Sequence, residues 1–300
     1  GNQKNLLQTK ESSFNSIMNT TYNSNQVRSE GVTYVPHHGT LTDSGQSQFS
    51  RVSDALCEFV DNSIQASSSV SNTPKDNDKP TVNIDILLES KTESAMLIRD
   101  SGEGMDIERI RAFATYSLSR ETRGLSDQAD HGNISRFGVG AKQGGFYLGD
   151  RISVITKKND SNDVIEFSLD RQEFERRYNT EDEEVYKDNA YIRPKSDINN
   201  STILASNKLS EKLKNICIDH ENQNESFCII MIILRSTITR LLENDQKLVE
   251  LSSELSNTYH MYLHPEHLPD NVASLDSLNG LATCTKALPD KLYKVGKQAD

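Results

Sequence analysis

Apolar and polar positions alternate along this chain with two periods, and the switches between them mark its elements. Over residues 53–67 the period is helical: Leu56, Phe59, Val60 and Ile64 fall on one side, and Asp54, Glu58, Asp61, Asn62 and Gln65 on the other. Side chains three and four positions apart share a face, so Glu58 and Asn62 project together. A period of two follows, with Val82, Ile84, Ile86 and Leu88 alternating in "TVNIDILLE" and "SAMLIRD" reading as a neighbouring strand. "DIERIRAFATYSL" returns to helical spacing through Ile107, Ile110, Phe113 and Ala114, with Asp106 set to cap its first turn. The polar stretch 119–136 has the length and composition of a lid. "FGVGAKQGGFYLG" opens on glycines and resumes a helix, "RISVITKK" and "NDVIEFSLD" pair as strands, "RQEFERRY" is a short helix, and "FCIIMIIL" is a buried strand. Residues 236–263 read as one long helix.

This order predicts an α/β sandwich with helices on one face of a mixed sheet. Residues 1–30, rich in Asn, Ser, Thr and Gln, read as a flexible N-terminal arm. The main domain is expected over 31–202 and a smaller, incomplete second module over 203–300.

Composition changes the picture in two respects. With 26% charged residues, 34% hydrophobic residues and a net charge of -11, the chain reads as globular and acidic, which argues against gripping a nucleic-acid backbone through bulk charge. Its four cysteines, Cys57, Cys217, Cys228 and Cys284, include no CxxC pair, so neither a zinc ribbon nor a disulfide framework is indicated and reduced intracellular thiols fit. "FCIIMIIL" is too short to span a bilayer, and the N-terminus lacks the charged start and apolar core of a secretory signal.

The candidate chemistry lies in three short segments. Glu58, Asp61 and Asn62 share the first helix, the strand ending at Asp100 turns through Gly102 and Gly104 in "RDSGEGMD", and Gly138 and Gly140 lead into a helix carrying Lys142. Glycines let a backbone approach a ligand closely. A helix N-terminus offers unpaired amide donors and a partial positive charge, which suits phosphate, and Lys142 adds a full charge one turn in. An Asn oxygen is a hard ligand suited to Mg²⁺, which takes its other ligands from phosphates and water. A carboxylate one turn away, Glu58, can polarise a water. Asp100 can accept a hydrogen bond from an exocyclic amine such as that of adenine. Taken singly, "DSGEG" also reads as an ordinary strand-to-helix turn, and "GVGAKQGG" as tight helix packing or a distorted dinucleotide fingerprint that lacks its preceding strand. No GxxxxGK[ST] is present, which excludes a standard P-loop.

The order and spacing of "EFVDNSIQAS", "DSGEGM" and "FGVGAKQGG" resemble the N-box, the following glycine motif and the lid hinge of the GHKL ATPases, which include gyrase, heat-shock protein 90, histidine kinases and MutL. The resemblance implies a Bergerat-type two-layer ATP-binding fold followed by a transducer-like module. It implies Glu58 as general base, Asn62 as the Mg²⁺ ligand and Asp100 as the adenine reader. Asp61, Gly102, Gly104 and Met105 would line the pocket, and Gly138, Val139, Gly140, Ala141 and Lys142 would cradle phosphates. "YVPHHGTLTDSG", "TYSLSRETRG", "SRFGVGAKQGGFYLGD", "DVIEFSLDRQEFERR" and "NTYHMYLHP" narrow the likeness, over about residues 33–265, to the structural-maintenance-of-chromosomes flexible-hinge-domain-containing family, with the microrchidia ATPases as runner-up. That family implies a slowly hydrolysing ATPase head whose cofactors are ATP and Mg²⁺. It also implies homodimerisation through ATP-bound heads and the arm, nucleic acid held by a distal hinge, no membrane, and a nuclear role in chromatin organisation and gene silencing. A nucleotide-sensing clamp with negligible hydrolysis uses the same residues. A histidine kinase is a third reading, although no phosphoacceptor hairpin precedes the N-box.

Two departures stand out. Where these proteins usually carry a Thr at the start of the last ATPase strand, this chain reads Ser226, Phe227, Cys228, and the transducer lysine is open among Lys286, Lys291, Lys294 and Lys297. His260, His264 and His267 have metal-like spacing without a partner carboxylate in phase and read, with His37 and His38, as structural or surface histidines. "TEDEEVYKD" reads as a solvated acidic loop.

Overall fold

The computed structural model describes residues 48–68, 82–114, 140–180 and 188–260. The predicted arm, the lid, His37, His38, His264, His267, Cys284 and the candidate transducer lysines lie outside the described residues. The elements are α1 (Val52–Ser68), β1 (Val82–Leu87), β2 (Ala95–Asp100), α2 (Ile107–Ala114), α3 (Gly140–Leu148), β3 (Gly149–Lys157), β4 (Asp163–Asp170), α4 (Arg171–Asn179), β5 (Tyr191–Pro194), a single 3₁₀ turn at Ile198–Asn200, α5 (Glu211–Gln223), β6 (Phe227–Leu234), α6 (Ser236–Leu242) and α7 (Asp245–Thr258).

The six strands form one sheet in the order β1-β2-β6-β3-β4-β5. Every neighbouring pair is antiparallel, so the expected mixed sheet is corrected to a purely antiparallel one. Burial on both faces explains why β6 reads as an unbroken apolar run instead of alternating. On one face Ile84, Met96, Ile98, Ile152, Val154, Phe167, Ile230 and Ile232 pack with Leu56, Phe59, Val60 and Ile64 of α1, Phe146 of α3 and Leu248, Leu251 and Leu255 of α7. The other face carries a second cluster, Leu97, Ile155, Ile229 and Met231 beneath Leu213 and Cys217 of α5. The two-layer frame therefore gains a helix on its second face, which the sequence reading does not include.

Two further expectations change. The strand near the start of the expected second module, β6, sits between β2 and β3 in the middle of the sheet, so residues 203–260 belong to the same layered body as the main domain. The long helix expected over 236–263 is broken. Asn244 leaves helical geometry and its side chain accepts from the Gln246 amide at 2.9 Å, so α7 starts afresh with its leucines on the core. Asn competes with the backbone for its own hydrogen bonds and therefore favours such caps over helix interiors. The cap expected at Asp106 is present, its carboxylate accepting from the Arg109 amide at 2.9 Å.

Candidate functional site

The first-helix pattern resolves into separate flanks. The apolar side of α1 is buried against the sheet, and the next flank, Phe59, Asn62, Ser63 and Ala66, walls a cavity of about 260 Å³. Asp100, Gly104 and Met105 form another wall, Arg109, Ala112 and Phe113 of α2 a third, and Ala141 and Lys142 of α3 close it. Cys228 and Ile230 of the central strand line it as well.

Asp100 ends β2 in a row of paired residues, opposite Cys228, which is itself opposite Thr156. Its carboxylate is 3% exposed, accepting from the Ser63 hydroxyl at 2.9 Å and from the Gly102 amide at 3.0 Å. Burial pushes this acid up to about 6, and the two hydrogen bonds oppose the rise without cancelling it. From the second face, His220 Nε2 lies 2.9 Å from the Asp100 carbonyl oxygen, which can only accept, so this ring nitrogen carries the proton.

The 101–106 turn is held by its neighbours. Gly104 has φ +69°, and a Cβ there would lie 2.0 Å from the Lys157 carbonyl oxygen, so this position admits only glycine without backbone movement. The Met105 amide donates to Thr156 Oγ1 at 2.9 Å, and that hydroxyl donates to the Phe227 carbonyl at 2.8 Å. Gly102 lies behind the wall, against Ala66, and contributes its amide to Asp100 instead of lining the cavity.

α3 begins at Gly140, beside the acid of α1. A Cβ on Gly140 would fall 1.7 Å from Glu58 Oε2, so the missing side chain is the space in which the carboxylate lies. Glu58 stands at the start of α3, outside the cavity lining, and burial, then the charge of Asp61, raises it above the usual carboxylate range. Lys142 is 3% exposed, donates to the Phe113 carbonyl at 2.5 Å and lies 5.3 Å from the centre of the Phe113 ring. Gly138 and Val139 lie outside the described residues.

Asp61 differs from its expectation. It is not a cavity wall, because it projects from the far edge of the polar face toward α7, where the Tyr259 hydroxyl donates to it at 2.8 Å. Burial raises its pKa and this hydrogen bond opposes the rise. Of the expected residues, then, Asn62, Asp100, Gly104, Met105, Ala141 and Lys142 share one cavity, with Glu58 and Gly140 together at the start of α3. Ser63, Thr156, Arg109, Phe113 and Tyr259 are additions. Ser63 was detectable, since it follows Asn62 and lies four positions from Phe59, whereas Thr156 and Tyr259 reach the site only through the tertiary fold.

A larger hollow of about 320 Å³ on the second face is lined by Arg151, Ser153, Glu166, Ser168 and Tyr191, and holds none of the expected residues. Its polar groups have protein partners: Ser153 pairs with Ser168 at 2.8 Å, and Arg151 donates to Glu93, outside the lining, at 2.5 Å. Among the described residues no group of three or more His, Cys, Asp or Glu is arranged to hold a metal. Cys57, Cys217 and Cys228 are free thiols, and no helix among the described residues is long and apolar enough to cross a membrane.

The sequence model of the histidine kinase-, DNA gyrase B- and HSP90-like ATPases matches residues 50–200. The structural maintenance of chromosomes flexible hinge domain-containing protein 1 of Mus musculus is 28% identical over 257 residues, covering 78% of this chain and 12% of the mouse protein. The protein of the same name from Homo sapiens is 28% identical over 256 residues, again 78% of this chain and 12% of the relative. The chain thus spans only about an eighth of the length of these relatives.

Proposed function

The chain belongs to the histidine kinase-, DNA gyrase B- and HSP90-like ATPase family, and on that premise we propose that its cavity binds ATP with Mg²⁺ and hydrolyses it slowly. The observation that carries this reading is the convergence of Asp100, Asn62 and Lys142 on one cavity. Asp100, oriented by Ser63 and Gly102, accepts from the adenine amine at the cavity floor. Ligand sites commonly span about 300–1,000 Å³, so a cavity of about 260 Å³ suits base and sugar, with the phosphates running to the start of α3. Gly140 and Ala141 offer backbone there, and Lys142 exchanges its Phe113 contact for phosphate.

The residues present fit the metal. With no carboxylate cluster among the described residues, Asn62 is the protein's oxygen ligand, and phosphates and water complete the shell, as Mg²⁺ prefers. When bound, the ion offsets phosphate charge. Glu58, half-buried and raised in basicity, takes a proton from the attacking water.

The similarity to two proteins named for structural maintenance of chromosomes supports the wider proposal. The chain is a head that pairs with a second copy when nucleotide is bound, with help from residues 1–30. It works on chromatin in the nucleus, in gene silencing, and nucleic acid is held by a hinge outside this chain. The alternative, a clamp without turnover, uses the same residues and differs in rate alone.

Calorimetric titration of the chain with Mg-ADP tests the site. Asp100→Ala is expected to weaken binding by about 10–100-fold, the loss of a hydrogen bond to a charged group, and unchanged affinity would refute the adenine assignment. Phosphate release abolished in Glu58→Ala supports the enzyme, and negligible release from both proteins supports the clamp. Solution mass with and without nucleotide tests pairing, an unchanged mass counting against it.

A further inference from the structure

α7 and α1, far apart in sequence, meet at Asp61. Tyr259 caps the C-terminus of α7 and is 3% exposed, its ring part of the core beneath α1. Its hydroxyl lies 2.8 Å from Asp61 Oδ1 and 3.3 Å from the Cys57 carbonyl oxygen. A phenol has one proton, and the carboxylate is the nearer and the charged acceptor, so the proton points to Asp61. A further charged contact, from Arg51 just before α1 to Glu254 of α7 at 3.5 Å, lies at the surface and holds the pair weakly.

The consequence follows from helix geometry. α1 is one rod with three working flanks: Asn62 and Ser63 on the cavity, Glu58 on Gly140, and Asp61 on Tyr259. Asp61 stands three positions after Glu58, on the neighbouring edge. Without its partner on α7, its carboxylate is free to swing toward the edge where Glu58 stands, and a second acid there would repel a triphosphate.

Resting on the ATPase reading above, we propose that Tyr259 is a positioning residue for hydrolysis: by holding Asp61 against α7 it keeps a second carboxylate of α1 away from Glu58 and the phosphates. The tie also joins the nucleotide site to the end of α7, where the chain continues into residues 261–300.

Tyr259→Phe removes one oxygen and keeps the ring, so the fold survives. In the 300-residue chain, Tyr259→Phe is expected to lower kcat for Mg-ATP about tenfold, the scale on which a small misplacement acts. Affinity for Mg-ADP stays within about twofold, because Asp100, Asn62 and Lys142 keep their places. Amide hydrogen exchange over residues 58–62 of the nucleotide-free protein accelerates. In an Asp61→Ala background the same Tyr259→Phe change has less than about a twofold effect on both readouts, the signature of residues acting as a pair. Unchanged kcat with unchanged exchange overturns the proposal. Parallel losses of kcat and ADP affinity, or additive effects in the double variant, also overturn it, since a purely structural role predicts them. A wild type that releases no phosphate overturns the hydrolytic reading alone, and exchange in the four proteins then decides the tie between the helices.

Discussion

Two buried acids, one on each face of the sheet, have opposite electrostatics. Asp100, on the cavity face, accepts one hydroxyl and one amide, and among the described residues no cation pairs with it. Glu166, on the second face, accepts from Arg193 at 2.8 Å, from the Thr202 hydroxyl at 2.8 Å, and from the amides of Thr202 at 2.7 Å and Ile203 at 3.2 Å. Burial pushes both upward. For Glu166 the hydrogen bonds from Ser201, Arg193 and Thr202 outweigh burial and leave it below the usual range, whereas Asp100 remains at about 6. A saturated carboxylate is a joint and an undersaturated one retains capacity for a ligand, so solvation separates framework from site more clearly than burial does.

The largest effect expected from breaking this contrast lies on the framework side. Arg193 bridges Glu166 and, through both nitrogens, Glu221 on α5 at 2.8 and 2.7 Å. Arg193→Ala leaves two buried acids without their cation and is expected to cost about 3–5 kcal/mol in urea denaturation. Mg-ADP affinity, measured well below the new midpoint, stays near wild type. A loss under about 1 kcal/mol would mean the network is solvated and the contrast false.

The next effect reverses that pattern. Asp100→Asn keeps the shape and removes the charge, so it should weaken nucleotide binding by about 10–100-fold while stabilising the empty protein at neutral pH. The sign follows from linkage: a folded pKa of about 6, raised above the unfolded value, contributes stability that is fully present below about pH 4 and is lost as pH rises through about 6. The wild type should therefore lose up to about 3 kcal/mol relative to Asp100→Asn between pH 4 and pH 7. Chemical denaturation of both proteins at four pH values reads the difference directly. A flat difference would show that Asp100 titrates as an ordinary exposed acid. Glu166, with its pKa depressed, has the opposite sign, since its contribution is lost only as pH falls through its folded value.

The two acids were unequally legible in the sequence. Asp100 was readable because a strand end followed by Gly102 and Gly104 is a local signal, as is the helical phase that sets Asn62 on the cavity. Local signals also predicted α1, β1, β2 and the Asp106 cap. The role of Glu166 depends on Arg193, Glu221 and Thr202, brought together by the sheet order, and no spacing rule encodes those meetings. The same cause misplaced β6. An apolar run says a strand is buried on both faces and leaves open which neighbours bury it. Asp61 was drawn into the expected cavity because it borders Asn62 in sequence, yet successive helix positions point about 100° apart, and its partner is 198 residues away.

The smallest stability effect, and the sharpest test of the cavity face, is expected at Gly140. An added methyl would meet Glu58 Oε2 at 1.7 Å and its Cδ at 2.4 Å, atoms at the far end of a flexible side chain that can swing aside. Gly140→Ala should therefore change folding free energy by less than about 1 kcal/mol, the gain in helix propensity partly offsetting any strain. The displaced carboxylate no longer rests on the start of α3, where water and phosphate meet in the proposed reaction, and phosphate release should fall about tenfold or more. Mg-ADP affinity reports Asp100 and Asn62 and should hold. If turnover survives with Glu58 displaced, its resting place on Gly140 is only packing. The cavity face then resembles the second face, with this acid part of the framework, and the group that activates water is not Glu58 at its observed position.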